Sequence, residues 1–151
     1  MDEWIEREKL HRAAEAGGLT LVCELLNQGC PVNAFDELGK TPLHYAVLGE
    51  HFTVVDVLLR SGADVNAHDE QRIGNTPLGE AASTCSLRMA RLLVEAGADP
   101  TIPGWMQRSA LDRAERRRHE EGTGSEGQAV FNILKEAARK RARVARRFRG
   151  K

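Results

Sequence analysis

Apolar residues return along this chain in clusters with helical spacing. Leu21, Val22, Leu25 and Leu26 form one, Val54, Val55, Leu58 and Leu59 a second, Met89, Leu92 and Leu93 a third, and Val130, Phe131, Ile133 and Leu134 a fourth. Steps of three and four residues place the members of each cluster on one face of an α-helix, with the intervening polar residues toward water. The first three clusters follow a step of small residues, Ala13-Ala14, Ala46 and Ala81-Ala82, which lets a second helix approach closely. They are followed by Gly29, Gly62 and Gly97, where a helix can end in a left-handed residue without a side-chain clash. Each cluster is therefore the second helix of a helix–turn–helix unit.

The units recur at a nearly constant interval. Leu10 to Leu43 is 33 residues, Leu43 to Leu78 is 35 and Leu78 to Leu111 is 33. Gly62-Ala63-Asp64-Val65-Asn66-Ala67 returns as Gly97-Ala98-Asp99-Pro100-Thr101. From Thr41 to Gly62 and from Thr76 to Gly97 the distance is 21 in both cases, so the two extra residues of the longer interval lie between His68 and Asn75. The head of the second unit is Thr41-Pro42-Leu43-His44-Tyr45-Ala46. Thr41 offers a side-chain oxygen to the orphan amides of a first helical turn, and Pro42 sits where its missing N–H costs nothing.

A period of about 33 residues headed by Thr-Pro-Leu-His resembles the ankyrin repeat, over nearly the whole chain. The resemblance implies an all-α solenoid of four helix-turn-helix repeats, with projecting turn or hairpin fingers and a basic C-terminal capping helix. It makes residues 1–151 a single domain, with repeats at about 5–34, 35–67, 68–101 and 102–142 and a basic tail at 139–151. Such units bury their cores only against neighbours and are stable only as a stack. His44 and His11 are then expected to bond neighbouring turns, and Asp36-Glu37-Leu38-Gly39 to form a tight turn at a finger tip. The outer copies depart from the pattern. The first reads Glu8-Lys9-Leu10-His11, with Trp4 and Ile5 expected to cover the free end of the core. The fourth reads Ser109-Ala110-Leu111-Asp112, followed by a polar insertion from Glu120 to Gly127 and a last helix from about Gln128 to Arg146.

In ankyrin stacks the fingers and first helices line a concave face, and binding specificity resides at positions the fold leaves free. Carried onto this chain, the first finger offers Phe35, Glu37, Leu38 and Lys40, and the helix behind it Tyr45, Val47 and Leu48. The next unit supplies His68, Glu70, Gln71, Arg72, Ile73 and Asn75, then Glu80, Ser83 and Thr84. The last finger gives Pro103, Trp105, Met106, Gln107 and Arg108. Phe35, Tyr45 and Trp105 are large apolar groups where a solenoid needs only polarity, and aromatic and arginine residues dominate interface hot spots. Packing on a neighbouring finger is the structural alternative for each. Pro103 stiffens the last finger, so that Trp105 and Met106 form a candidate anchor.

With 41% hydrophobic and only 5% aromatic residues, the core is expected to be aliphatic and thin. The formal net charge of zero hides a strong polarity. Residues 1–108 hold 9 Lys/Arg against 16 Asp/Glu, and residues 109–151 hold 13 against 6. Lys135 to Lys151 alone carries nine basic residues and one acid. No run of about 18 apolar residues suggests a membrane span, and the acidic start does not resemble a secretory signal, so a soluble protein of the cytoplasm is expected. Three cysteines, an odd number without paired spacing, argue against a disulfide framework. Cys30 is expected to be a small buried filler. The five histidines show no HxH or HxxxH pattern, there is no CxxC, and neither a phosphate-binding loop nor a nucleophile elbow occurs. The chain thus reads as a non-enzyme without metal or cofactor.

Two function classes remain open. One is an adaptor or inhibitor that grips a protein on its concave face. Within it, the compact size, the acidic front and the finger from Asp99 to Met106 are similar to small bacterial ankyrin proteins, some of which serve as immunity factors that neutralise toxins. The alternative is a nucleic-acid-associated protein anchored by the basic C-terminal helix, with weak binding expected because the acidic body repels phosphate.

Overall fold

The computed structural model describes residues 3–72 and 74–150, with side chains from Glu8 onward. The covering role expected of Trp4 and Ile5 and the finger position of Ile73 lie outside the described residues. Among the described residues there are eight α-helices and no strand: α1 (Glu3–Ala16), α2 (Leu19–Asn27), α3 (Pro42–Leu48), α4 (Phe52–Arg60), α5 (Pro77–Ala81), α6 (Leu87–Glu95), α7 (Ala110–Glu121) and α8 (Glu126–Arg149). Helices pair in sequence, α1 with α2, α3 with α4 and α7 with α8, and these pairs stack with the short α5 and with α6 between the last two. The first helices form an inner row in which α1 packs on α3, α3 on α5 and α5 on α7; in the outer row α2 meets α4 and α6 meets α8. The fingers, which connect one pair to the next, are irregular except for 3₁₀ turns at Glu70–Arg72 and Trp105–Gln107.

The periodic leucines explain the stacking. Leu10, Leu43 and Leu78 are almost wholly buried, and each contributes about 1.5–3 kcal/mol of burial. Ala14, Ala46, Ala82 and Ala114 beside them are equally inaccessible, and their size sets the close approach of the inner helices. Val22, Val54, Val55, Leu58, Met89 and Leu93 fill the layer between the rows, and Val130, Phe131 and Leu134 close it from α8. The expected helical faces hold except at Ile133, which is half-buried outside the core cluster, and at Leu21. Leu21 is 49% exposed, because Val22 and Leu25 take the inward positions of the short α2.

Helix ends follow the local chemistry. Gly29, Gly62 and Gly97 have φ of 86°, 93° and 95°. In each case the next amide reaches back over the glycine, Cys30 N to Leu25 O, Ala63 N to Leu58 O and Ala98 N to Leu93 O, which satisfies a carbonyl the helix leaves unpaired. Asparagines then join one finger to the next. Asn33 Nδ2 donates to Gly62 O and its Oδ1 accepts from Asp64 N at 2.7 Å, and Asn66 repeats both contacts with Gly97 O and Asp99 N. At the next step Thr101 replaces the asparagine and the ladder stops. Arg141 of α8 ends it, donating to Gly97 O and lying 3.1 Å from the Asp99 carboxylate.

The last pair corrects the expected boundaries. The polar stretch from Glu120 to Gly127 is half helical: α7 runs to Glu121, α8 begins at Glu126, and Gly122 to Ser125 form the turn. Glu121 accounts for this, since its carboxylate receives Arg117 Nε at 2.6 Å and Gly127 N at 2.8 Å, while Ser125 caps α8 through Gln128 N. The helix also continues beyond Arg146 to Arg149. Cys30 is half-buried against the core instead of a fully buried filler.

Candidate binding face

The inner face is built on the helix caps. Thr41 starts α3, and His44, three residues on, accepts at Nδ1 from the Thr41 amide at 3.0 Å and contacts its hydroxyl at 2.9 Å. With Nδ1 as acceptor, Nε2 carries the proton and donates to Asn75 O at 2.7 Å, tying α3 to the following finger. Burial holds the His44 pKa below the ordinary 6.5, so the ring stays neutral. His11 has the same role in the preceding repeat, with Nε2 at 2.8 Å from Ala34 O and 3.1 Å from Lys40 O. Both histidines are structural.

The third unit has Gly79 in place of the histidine, and the side chain of Asn75 takes over. Its Oδ1 accepts from Trp105 N at 3.0 Å and from Arg113 at 3.1 Å, while its Nδ2 donates to Glu80 at 3.0 Å. Gly104 allows the close approach, for a Cβ there would run into the Asn75 amide.

Four residues beyond successive caps, the inner helices present Tyr45, Glu80 and Arg113 in turn. The Tyr45 hydroxyl donates to Asp36 of its own finger, and its ring stands edge-on to His11 with Lys40 over its face. Burial and the Asp36 carboxylate push the Tyr45 phenol well above its ordinary pKa. Burial opposes ionisation of Asp36, yet hydrogen bonds from Tyr45 and from the Lys40 and Leu38 amides outweigh it and hold its pKa low. Glu80 is lowered likewise. Burial raises it, but Asn75 and Lys40, whose Nζ lies 3.0 Å away, more than compensate.

Of the positions read from the sequence, Lys40, Tyr45, Asn75, Glu80 and Trp105 are thus linked along one face, and Arg108 joins Trp105 at its far end. Most finger side chains, those of Trp105 and Arg108 included, face solvent. Phe35 is 45%, Leu38 71%, Trp105 61% and Met106 63% exposed, and Glu37, Glu70, Gln71, Arg72 and Arg108 also face water. Val47 is the correction: it is fully buried, on the core side of α3, and is not available to a partner. Leu48, at the end of α3, and His68, bonded back to Asn66 O at 2.8 Å, join none of these contacts.

The two ends of the face differ in charge. Glu8, Glu15, Asp36 and Glu37 surround a notch beside Tyr45 and Leu38. At the other end Arg108, Arg113 and Arg116 line a notch with Trp105, Met106 and Ser83. Sequence reasoning missed Arg113 and Arg116. The signal for Arg113 was its distance from the Ser109 cap, the same as that of Tyr45 from Thr41 and of Glu80 from Thr76. The Trp105 finger is also conformationally unusual, since Met106 and Gln107 both have φ of 58°, a left-handed conformation that side chains disfavour.

Cys85, buried between α5 and α6, has its thiol pKa pushed up to about 11 by burial, which leaves it protonated at neutral pH. Among the described residues, no group of three or more His, Cys, Asp or Glu side chains is placed to hold a metal ion. Nor is any helix among them long and apolar enough to cross a membrane.

Comparison with protein families gives a match to the model for ankyrin repeats, in three copies, over residues 10–104. That span runs from the second half of α1 through α6 to the beginning of the Trp105 finger, and stops before α7. Comparison with curated proteins gives no match.

Proposed function

Since the chain belongs to the ankyrin-repeat family, whose members are in general protein–protein interaction modules, we propose that it is a non-enzymatic adaptor or inhibitor that holds a partner protein on its inner face and fingers. The observation that carries this reading is the exposure of Phe35, Leu38, Trp105 and Met106 on fingers whose backbones are fixed by Asp36 and Asn75. Large apolar groups on a preorganised backbone lose little entropy on binding, which is what an anchor residue requires. Neutralisation of a toxin, as by an immunity protein, is one form such an inhibitor takes. The cytoplasm is the proposed place of action.

The test is affinity capture from a lysate of the source cells, comparing the native chain with a Phe35→Ala, Trp105→Ala variant. Both side chains are outside the core, so the variant is expected to keep its fold and lose the partner. Retention of the same partner at the same affinity would reject the inner face as the binding surface.

A second reading rests on α8. Its last turns are exposed, including Val144 at 53% and Phe148 at 79%, and carry most of the basic tail. Nucleic acid is the alternative partner for this segment.

A further inference from the structure

Along the inner face, Arg113 differs from its counterparts in how its charge is met. Tyr45 is bonded to Asp36, and Glu80 is paired with Lys40. Arg113 has a neutral partner, the Asn75 amide oxygen, and its Nε is buried without a hydrogen-bond partner. Neither Arg113 nor the exposed Arg108 has a carboxylate within ion-pair distance among the described residues. The neighbouring arginines are compensated: Arg116 lies 2.8 Å from Glu120, and Arg117 is held by Glu121 and by the Cys85 carbonyl. Two guanidinium groups without a carboxylate therefore share one notch with Trp105 and Met106, while the Glu120 carboxylate that also lines it is taken by Arg116, and Arg117 by Glu121.

A partly buried arginine without an anion loses hydration and receives no ion pair in return, a cost that a carboxylate entering the notch would relieve. The planar guanidinium suits two-point binding of a carboxylate, and the exposed indole and thioether beside it suit an adjoining apolar side chain. We propose that this notch is an anion-reading site that takes an acidic side chain of the partner protein. Arg113 and Arg108 hold the carboxylate, and Trp105 and Met106 cover its apolar neighbour. A peptide fits better than a nucleic acid. Beyond the notch the same face carries Asp36, Glu37 and Glu15, with Glu80 and Glu8 paired to Lys40 and Arg12, and this net negative charge would repel a continuous phosphate backbone. The opposite sign of the two ends also orients the occupant, with its acidic end at the fourth helix pair and its basic end at the first.

This inference rests on the inner face being the partner surface, and the experiment separates the two. Nitrogen-15-labelled protein is titrated with a capped peptide of glutamate and leucine, with its lysine-and-leucine counterpart, and with a single-stranded oligonucleotide, while the Trp105 indole and Arg113 Nε signals are followed. The acidic peptide should shift both saturably. Arg108→Gln, a change at an exposed residue outside the fold's contacts, should weaken it at least about tenfold, and Arg108→Gln with Arg113→Gln further still. Neutralising Arg143, Arg146 and Arg147 should leave it unchanged. If the lysine peptide engages Phe35 and Trp105 and the acidic one does not, the inner-face reading stands and the anion site is wrong. If the acidic peptide perturbs only α8, the anion site is wrong, and an oligonucleotide that shifts Trp105 and Arg113 more tightly than the acidic peptide does overturns the choice of a peptide as the occupant. Absence of any shift at Trp105 and Arg113 with the acidic peptide, or full binding by the Arg108→Gln, Arg113→Gln variant, overturns the proposal.

Discussion

His44 Nε2 lies 2.7 Å from the carbonyl oxygen of Asn75, a residue 31 positions later. That bond joins the cap of one inner helix to the finger that precedes the next, and His11 forms the corresponding link in the preceding repeat. Finger placement in this stack is therefore a property of buried polar groups, on which the exposed anchors depend. At the third unit the link changes hands, from a histidine ring to the Asn75 side chain.

Replacing His44 by alanine should leave the Thr41 amide and the Asn75 carbonyl without their partner. The expected cost is about 1–3 kcal/mol, the desolvation penalty of an unmade buried hydrogen bond. Urea unfolding measures it. In the native chain the same group makes stability depend on pH. The folded pKa of His44 is below its unfolded value of 6.5, so the unfolded chain binds the proton more readily. The contribution is complete above that value and is lost as pH falls through the lowered folded pKa. Asp36 and Glu80, also lowered, add a loss of the same sign in more acidic solution. The His44→Ala variant should lack the first of these phases.

Gly104→Ala tests the substitution of Asn75 for the missing histidine. The added Cβ meets the Asn75 amide, which already receives Trp105 N and Arg113. Overpacking at such a site costs about 1–3 kcal/mol. The urea midpoint should fall with an unchanged slope, and the Trp105 indole signal should move. An unchanged Trp105 environment would show that Asn75 does not fix the finger.

Removing residues 109–151 deletes α7 and α8, which cover Leu93, Met89 and Ala90 from the open end. Repeat stability is a sum of unit and neighbour terms, so a lower and less cooperative thermal transition is expected by circular dichroism. A truncated chain that melts as high and as sharply as the full one would remove the fourth pair from the cooperative stack.

The architecture is legible in the sequence because its signals are local and periodic. Leu10, Leu43 and Leu78 mark the inner row, Gly29, Gly62 and Gly97 mark helix ends by a backbone requirement, and both sets stand where the period puts them. The fourth pair is less so. Gly122 and Gly124 suggest a long loop, whereas Glu121 reaches across to Gly127 N and shortens it, a contact with no periodic signature. The face is legible as a set of positions. Its charge balance is not, because whether Arg113 or Arg116 is neutralised depends on which carboxylates the fold brings near, and only Arg116 has one.

The basic tail makes a separate prediction through salt. If α8 engages duplex DNA, affinity should be weak, in the range of about 10⁻⁴ to 10⁻⁶ M at physiological salt, and vanish when residues 139–151 are removed. Fluorescence anisotropy at two salt concentrations reads it. Nanomolar binding that falls about 10³-fold or more between 50 and 200 mM salt would instead make the nucleic acid the principal partner.

The central claim, that the partner lies on the inner face and fingers, is tested most directly by placing one photoreactive residue at a time at Trp105, at Leu21 on the exposed side of α2, and at Phe148 near the end of α8. Irradiation in the source-cell lysate should crosslink one defined protein from position 105, competed by unlabelled native chain, and not from position 21 or 148. Capture of that protein from position 21 or 148 with none from position 105 would contradict the account.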